Sequence, residues 1–185
     1  MQFCQWFINA VRLNRPHWQM ILWTDEATFT RRGRLLNMRD EHLWMHGNPY
    51  AMREDRFQNQ FCVNVWIGII NNRLIGPFFL SDRLNGEYFL HFLQEELPIL
   101  LEDLPLNVRQ QLWFQLDGCP AHYSRPVRNW LNISKHYPER WIGRSGPVAW
   151  PARSPELTPL DFFLWGHLKA LVYRFQIRKE KSLFI

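Results

Sequence analysis

Two carboxylates, Asp25 and Glu26, follow the apolar run Met20-Ile21-Leu22-Trp23 in the stretch WTDEATFT. Another, Asp117, follows QLWFQL, and Asp161 stands near the head of the aromatic-rich run LDFFLWGHLK. An acid that closes a strand often does no more than cap the next segment, because its side chain accepts hydrogen bonds from nearby backbone. Brought together, Asp25, Asp117 and Asp161 would do something else. Like charges at short range raise one another's pKa, and a divalent cation relieves the repulsion. Carboxylate oxygens are the hard ligands that Mg2+ and Mn2+ accept. Two such ions about 3.5 to 4 Å apart activate a water or hydroxyl and stabilise the departing oxygen of an in-line phosphodiester displacement. Spacing alone does not single these acids out, since 17 Asp and Glu residues offer many triples.

The surrounding elements decide whether they can meet. QFCQWFINAVRLN at 2–14 spaces Phe3, Trp6, Phe7, Ala10, Val11 and Leu13 as an entry helix, which Pro16 ends. WQMILWTDE and ATFTRRGRLLN read as a hairpin turning at Gly33, so that Asp25-Glu26 closes the first strand. Arg31, Arg32 and Arg34 at the tip would either solvate the turn or touch phosphate. FCVNVWIGII reads as a central strand covered on both faces, with RLIGPFFL its neighbour. NGEYFLHFLQEELPILLEDLP predicts a helix capped by Asn85 and kinked or broken at Pro98.

In QLWFQLDGCPAHYS a period of two puts Leu112, Phe114 and Leu116 on one face and Trp113, Gln115 and Asp117 on the other, with Gly118 and Pro120 stopping the strand. SRPVRNWLNISKH predicts a helix, and WIGRSGPVAWPARSPELTP a loop around a short extended piece at Val148 to Trp150. LDFFLWGHLKALVYRFQ is helical again, with Asp161 in its first turn. In an open α/β sheet the strand ends and the loops beyond them form the functional rim. There the 91 residues between Asp25 and Asp117 are no obstacle.

With 46% hydrophobic and 21% charged residues, the 185-residue chain has the make-up of one globular domain, and no apolar run reaches the length of a membrane span. The N-terminus lacks the layout of a secretory signal, so an intracellular protein is expected. Cys4, Cys62 and Cys119 form no CxxC pair and are expected to be buried free thiols. A net charge of +5 is compatible with a polyanionic partner, and most of the ten tryptophans are expected in the core. His42 and His46 have a metal-pair spacing but neither the glutamate of an HExxH motif nor a nearby cysteine to complete a zinc site. GRSG at 143–146 lacks the strand and helix a nucleophile elbow requires.

Three blocks, WTDEATFTRRGRLLNMRDEHLWMHGNPY, FQLDGCPAHYSRPVRNWL and WPARSPELTPLDFFLWGHLK, resemble in sequence and order the motif blocks of the mariner-like superfamily of DDE/D transposases. The likeness covers roughly Phe3 to Tyr173, and its third block is the most specific. It implies a ribonuclease-H-like fold, an α/β mixed sheet flanked by helices, occupying residues 1–175 with a short tail at 176–185. It implies metal-dependent cutting and joining of DNA, that is, endonuclease and strand-transfer chemistry at transposon ends and target DNA. Two Mg2+ or Mn2+ ions, a homodimer and, in a eukaryotic host, a nuclear location go with it. Asp25, Asp117 and Asp161 match the family's three catalytic, metal-binding acids. Glu26 and Glu156 are rivals for the first and third places, although Glu156 falls at the acid of Ser-Pro-acid-Leu, which in the family is not a ligand. His122 matches a histidine that commonly follows the second acid, and a plain packed histidine remains equally open.

The chain departs from the pattern in three ways. Gly118 stands where better-known members carry Asn, and 43 residues separate Asp117 from Asp161, more than in the best-known mariner members. The family's N-terminal helix-turn-helix region is expected to be missing. The expectation is therefore a catalytic core, with a truncated, catalytically decayed or domesticated DNA- or protein-binding module as the alternative.

Overall fold

The computed structural model describes residues 2–13, 16–30, 62–81, 83–133, 137–151 and 153–174. Its centre is strand β1 (Ile21–Thr30), which follows helix α1 (Gln2–Arg12) and a 3-10 turn at Pro16–Met20. β2 (Cys62–Ile70) and β3 (Arg73–Leu80) continue the sheet on one side of β1, both pairings antiparallel. β4 (Trp113–Gln115), β5 (Trp141–Gly143) and β6 (Val148–Ala149) extend it on the other side, all parallel. The order is β3-β2-β1-β4-β5-β6, a six-stranded mixed sheet flanked by helices, as expected of the ribonuclease-H-like fold.

Period-two alternation divides the core between the two faces of this sheet. Leu22 of β1 and Trp66 of β2 point to one face, where they pack with Phe89, Phe92, Leu93 and Leu97 from the helical run 86–100 and with Val127 and Leu131 of α5 (Arg125–Ile133). Ala27 and Phe29 of β1 with Val65 and Ile67 of β2 point to the other face, against Leu160, Leu164 and Trp165. β2 is thus covered on both faces, as a run apolar at nearly every position predicts. Each fully buried side chain of this size contributes about 1.5–3 kcal/mol relative to exposure.

Asn85 caps α2 (Gly86–His91) by accepting from the Tyr88 N–H at 2.8 Å. Pro98 does not break the helix. A π-helical stretch, Phe92–Glu96, precedes it, the Leu97 N–H reaches back to the Phe92 carbonyl, and α3 (Leu97–Leu100) carries on. The wider turn accommodates a ring that would collide with the preceding turn of a regular α-helix. After α4 (Leu106–Gln111) the chain enters β4. Near the end, a 3-10 turn at Pro155–Leu157 and a π-helical turn at Leu160–Leu164 lead into α6 (Trp165–Arg174).

Four expectations need correction. β1 does not end at Asp25-Glu26 but runs on to Thr30, because β2 pairs with it continuously from Leu22 to Thr30. Trp141-Ile142-Gly143, expected in a loop, is the fully buried strand β5. The extended piece near Val148 is shorter than expected and ends at Ala149. Cys4 is exposed, and Cys62 and Cys119 are only partly buried, although all three are free thiols. The turn at Gly33, its arginines, and His42 and His46 lie outside the described residues. Among the described residues no helix is long and apolar enough to cross a membrane.

Candidate active site

Asp25, Asp117 and Asp161 line one cavity of about 220 Å3, together with Thr24, Gln115, Gly118, Trp150, Arg153, Ser154, Pro155 and Thr158. A gap in the sheet makes room for it. β1 and β4 pair only at Ile21–Trp113 and Leu22–Phe114. One step further the side chain of Gln115 takes over: its Oε1 accepts from the Thr24 N–H at 2.9 Å, while the Thr24 hydroxyl donates to the Gln115 carbonyl at 2.6 Å. β4 then stops, β1 continues, and Asp25 is the first residue of β1 past that clamp. Asp25 therefore reaches the site from mid-strand, whereas Asp117 reaches it from just beyond the end of β4.

The loop after Asp117 folds back on the carboxyl. The Cys119 N–H donates to Asp117 Oδ1 at 2.8 Å, and the His122 N–H donates to the Cys119 carbonyl at 3.0 Å. Pro120 occupies the second place of that turn, where its fixed φ is favourable. His122 Nδ1 then meets Asp117 Oδ1 at 2.5 Å. On its other side, His122 Nε2 faces Glu26 Oε1 at 3.2 Å, close enough for an ion pair though not aligned as a hydrogen bond. The loop is held from beneath by α2: a Cβ on Gly86 would fall 2.6 Å from Ser124 Cβ, so only glycine permits this approach.

Asp161 enters through the π-helical turn. Thr158 is buried there; its hydroxyl accepts from the Leu160 N–H at 3.4 Å and its carbonyl from the Phe162 N–H at 3.1 Å, so the turn starts where Asp161 can look across at β1. The Asp161 carboxyl lines the cavity with that of Asp25, and their like charges oppose each other. Four residues on, Trp165 Nε1 donates to Asp25 Oδ2 at 2.7 Å. Phe162 and Phe163, next to Asp161, are exposed.

The two strand acids differ in their electrostatics. Burial, then Asp161 and Glu26, push the Asp25 carboxyl up to about 7 against the help of Trp165. Burial would also raise Asp117, but the hydrogen bond and charge of His122 and the Cys119 amide outweigh it, so its carboxyl lies below the usual range. Burial would lower His122, yet Glu26 and Asp117 together hold it well above its ordinary value. Asp161 is raised by burial and by Asp117, with Asp25 and Lys169 opposing.

This donor set fits a hard divalent cation. Three carboxylates from three elements face one space, two of them with their charge disfavoured, and a cation there would relieve what burial and mutual repulsion impose. A second grouping, Asp117, Cys119 and His122, brings one ligand atom from each within 4.8 Å of the others. The 2.5 Å between Asp117 Oδ1 and His122 Nδ1 is a hydrogen-bond distance. It is shorter than the roughly 3 Å that separates neighbouring ligands on an octahedral cation with bonds near 2.1 Å. That grouping is a hydrogen-bonded pair with a thiol beside it.

Of the other expected residues, Glu156 is exposed on the 3-10 turn and does not line the cavity, and Glu26 points to the opposite face of β1 from Asp25. Trp165 and the Thr24–Gln115 clamp were not expected. The sequence signals for Trp165 are its place four residues after Asp161 and within the third motif block.

No protein-family model matches the chain. It is 25% identical over 174 residues to the transposable element Tc1 transposase of Caenorhabditis elegans, covering 89% of this chain and 56% of that protein. The chain thus spans little more than half the length of that relative. Among solved structures, the catalytic domain of Mos1 mariner transposase superposes with a TM-score of 0.67 at 16% identity, over 98% of this chain and 73% of that one. A Mos1 paired-end complex with Mn gives a TM-score of 0.67 at 19% identity, over 98% and 50%. The Mos1 complex with the left transposon end gives 0.65 at 19%, again over 98% and 50%.

Proposed function

On the premise that this chain is related to the mariner and Tc1 transposases through their catalytic domain, we propose that it is a metal-dependent DNA-cutting and DNA-joining core. Asp25, Asp117 and Asp161 hold the Mg2+ or Mn2+, two ions in all. When bound, the cations supply activation of a water or hydroxyl nucleophile and stabilisation of the departing oxygen. The observation that carries this reading is the convergence on one cavity of three acids far apart in sequence.

The chain's own groups have separate parts. Trp165 orients the Asp25 carboxyl, and His122 with the Cys119 amide orients that of Asp117. The Thr24–Gln115 clamp keeps the seam between β1 and β4 open at a fixed width. Arg153, exposed at the cavity wall, offers a cation to the phosphodiester, and contacts of that kind make DNA binding salt-sensitive.

The partners of this reading are transposon ends and target DNA, with a second copy of the chain in the assembly and the nucleus as its place in a eukaryotic host. Related structures carry transposon-end DNA, Mn and Mg in their names, which supports DNA and a divalent cation as the partners. The test is Mn2+-dependent nicking of duplex DNA by the parent chain beside folded Asp25→Asn and Asp117→Asn variants. Nicking by the parent that both variants lose, with joined products among those recovered, is expected. Joined products separate a transposase from a nuclease that only hydrolyses. Nicking of equal strength in all three would contradict the assignment.

A further inference from the structure

We propose that Glu26 and His122 are a positioning pair for Asp117, acting from the opposite face of β1 to fix the rotamer in which Asp117 offers its second oxygen to the cavity. The inference deepens the metal-site reading and rests on it. Neither Glu26 nor His122 lines the cavity, so their effect on it would pass through Asp117.

Asp117 lies just outside the sheet, with its side chain 41% exposed. A carboxylate so placed has several staggered rotamers open to it. Two contacts restrict it here, from the Cys119 N–H and from His122 Nδ1, and both fall on Oδ1. Oδ2 is thereby left for the cavity. The His122 ring is itself fixed: it is 2% exposed, its centroid lies 4.3 Å from that of Phe89, and its backbone N–H is tied to Cys119.

Glu26 supplies the other half. By alternation it shares a face of β1 with Leu22 and pairs across the sheet with Trp66, so it stands on an apolar core face. Its Oε1 is buried without an aligned donor, and His122 Nε2 without an aligned acceptor. A buried carboxylate there is costly unless a polar group faces it, and the edge of the His122 ring does so. The 3.2 Å approach of Nε2 to Oε1 points one edge of the ring at Glu26 and thus the other at Asp117. Groups that orient a metal-ligating carboxylate in this way typically alter metal affinity by about 10–100-fold when removed.

The test is Mn2+ affinity by calorimetry on the full chain, with thermal melts of the metal-free proteins as the measure of structural damage. Glu26→Ala and His122→Phe, the latter keeping a ring against Phe89, are expected to weaken Mn2+ about tenfold or more. Glu26→Gln, which keeps a polar side chain of the same length facing Nε2, is expected to recover to within about threefold of the parent. Spin-echo spectra of the Mn2+-loaded chain are expected to lack a directly bound imidazole nitrogen. Parent affinity in Glu26→Ala and His122→Phe, whatever their melting temperatures, would overturn the pair while leaving the acid site standing. A directly bound nitrogen would make His122 a ligand and overturn it as well. A parent that binds no Mn2+ would overturn the metal-site reading itself. If His122→Phe fails to fold, the Glu26→Ala and Glu26→Gln comparison decides alone.

Discussion

Asp25 and Asp117 look into the same cavity, but the protein treats their charges in opposite ways. Asp117 has its counter-ion built in, a buried imidazole at 2.5 Å, and its carboxyl is held low. Asp25 has an indole N–H and two acidic neighbours, and its carboxyl is pushed up to about 7 by burial first and those neighbours second. One half of the site is therefore organised by the chain alone, while the other is left electrostatically uncompensated. Incomplete sites of this kind trade folding stability for ligand affinity.

The sharpest way to break the contrast is to remove each charge. Asp25→Asn and Asp117→Asn should each weaken Mn2+ by at least about 100-fold in calorimetry, more than losing an orienting partner would. Their effects on the metal-free protein should have opposite signs. The folded carboxyl of Asp25 lies above its unfolded value, so its penalty is absent below about pH 4, grows as pH rises and is complete above about pH 7. Asp25→Asn should then stabilise the metal-free chain at pH 8 by on the order of 2–4 kcal/mol, a gain that vanishes near pH 4. Asp117 lies low, so its contribution is present above the unfolded value and is lost as pH falls through the folded one. Because its side chain is two-fifths exposed, Asp117→Asn should destabilise by only about 1 kcal/mol in denaturant melts at pH 7.

A smaller effect is expected at Trp165. Trp165→Phe keeps a ring but removes the indole donor to Asp25, and should cost about 1 kcal/mol, seen as a several-fold rise in the Kd for Mn2+. Smallest is Glu156→Gln. Exposed and outside the cavity, Glu156 should leave Mn2+ affinity within about twofold, and a larger loss would mean that the third acid has been misassigned.

How much of this was legible follows from what each residue advertises. Around β4 the alternation of Leu112, Phe114 and Leu116 against Trp113, Gln115 and Asp117 set the facing correctly, because the first three all enter one apolar cluster and the period is two. The Asn85 cap and Asp161 in a first helical turn were equally plain, since both depend on neighbours in sequence. Asp25 was misplaced within its strand because acids usually mark strand ends. Here the strand continues only because a partner more than thirty residues away pairs with it while β4 stops short. β5 was missed because three residues bounded by turns carry no usable period. Glu26 looked like a rival for the place of Asp25, and only alternation in a strand that continues past it turns its side chain to His122. Trp165 is one of ten tryptophans, most of them expected in the core, and it packs there while its indole N–H bonds Asp25.

The most direct test of the central claim is an anomalous-difference map from crystals of this chain grown or soaked with Mn2+. Density in the cavity within bonding distance of carboxylate oxygens from Asp25, Asp117 and Asp161 is the predicted result. Density at Asp117, Cys119 and His122 alone, or none in the cavity at a concentration that saturates calorimetric binding, would contradict it.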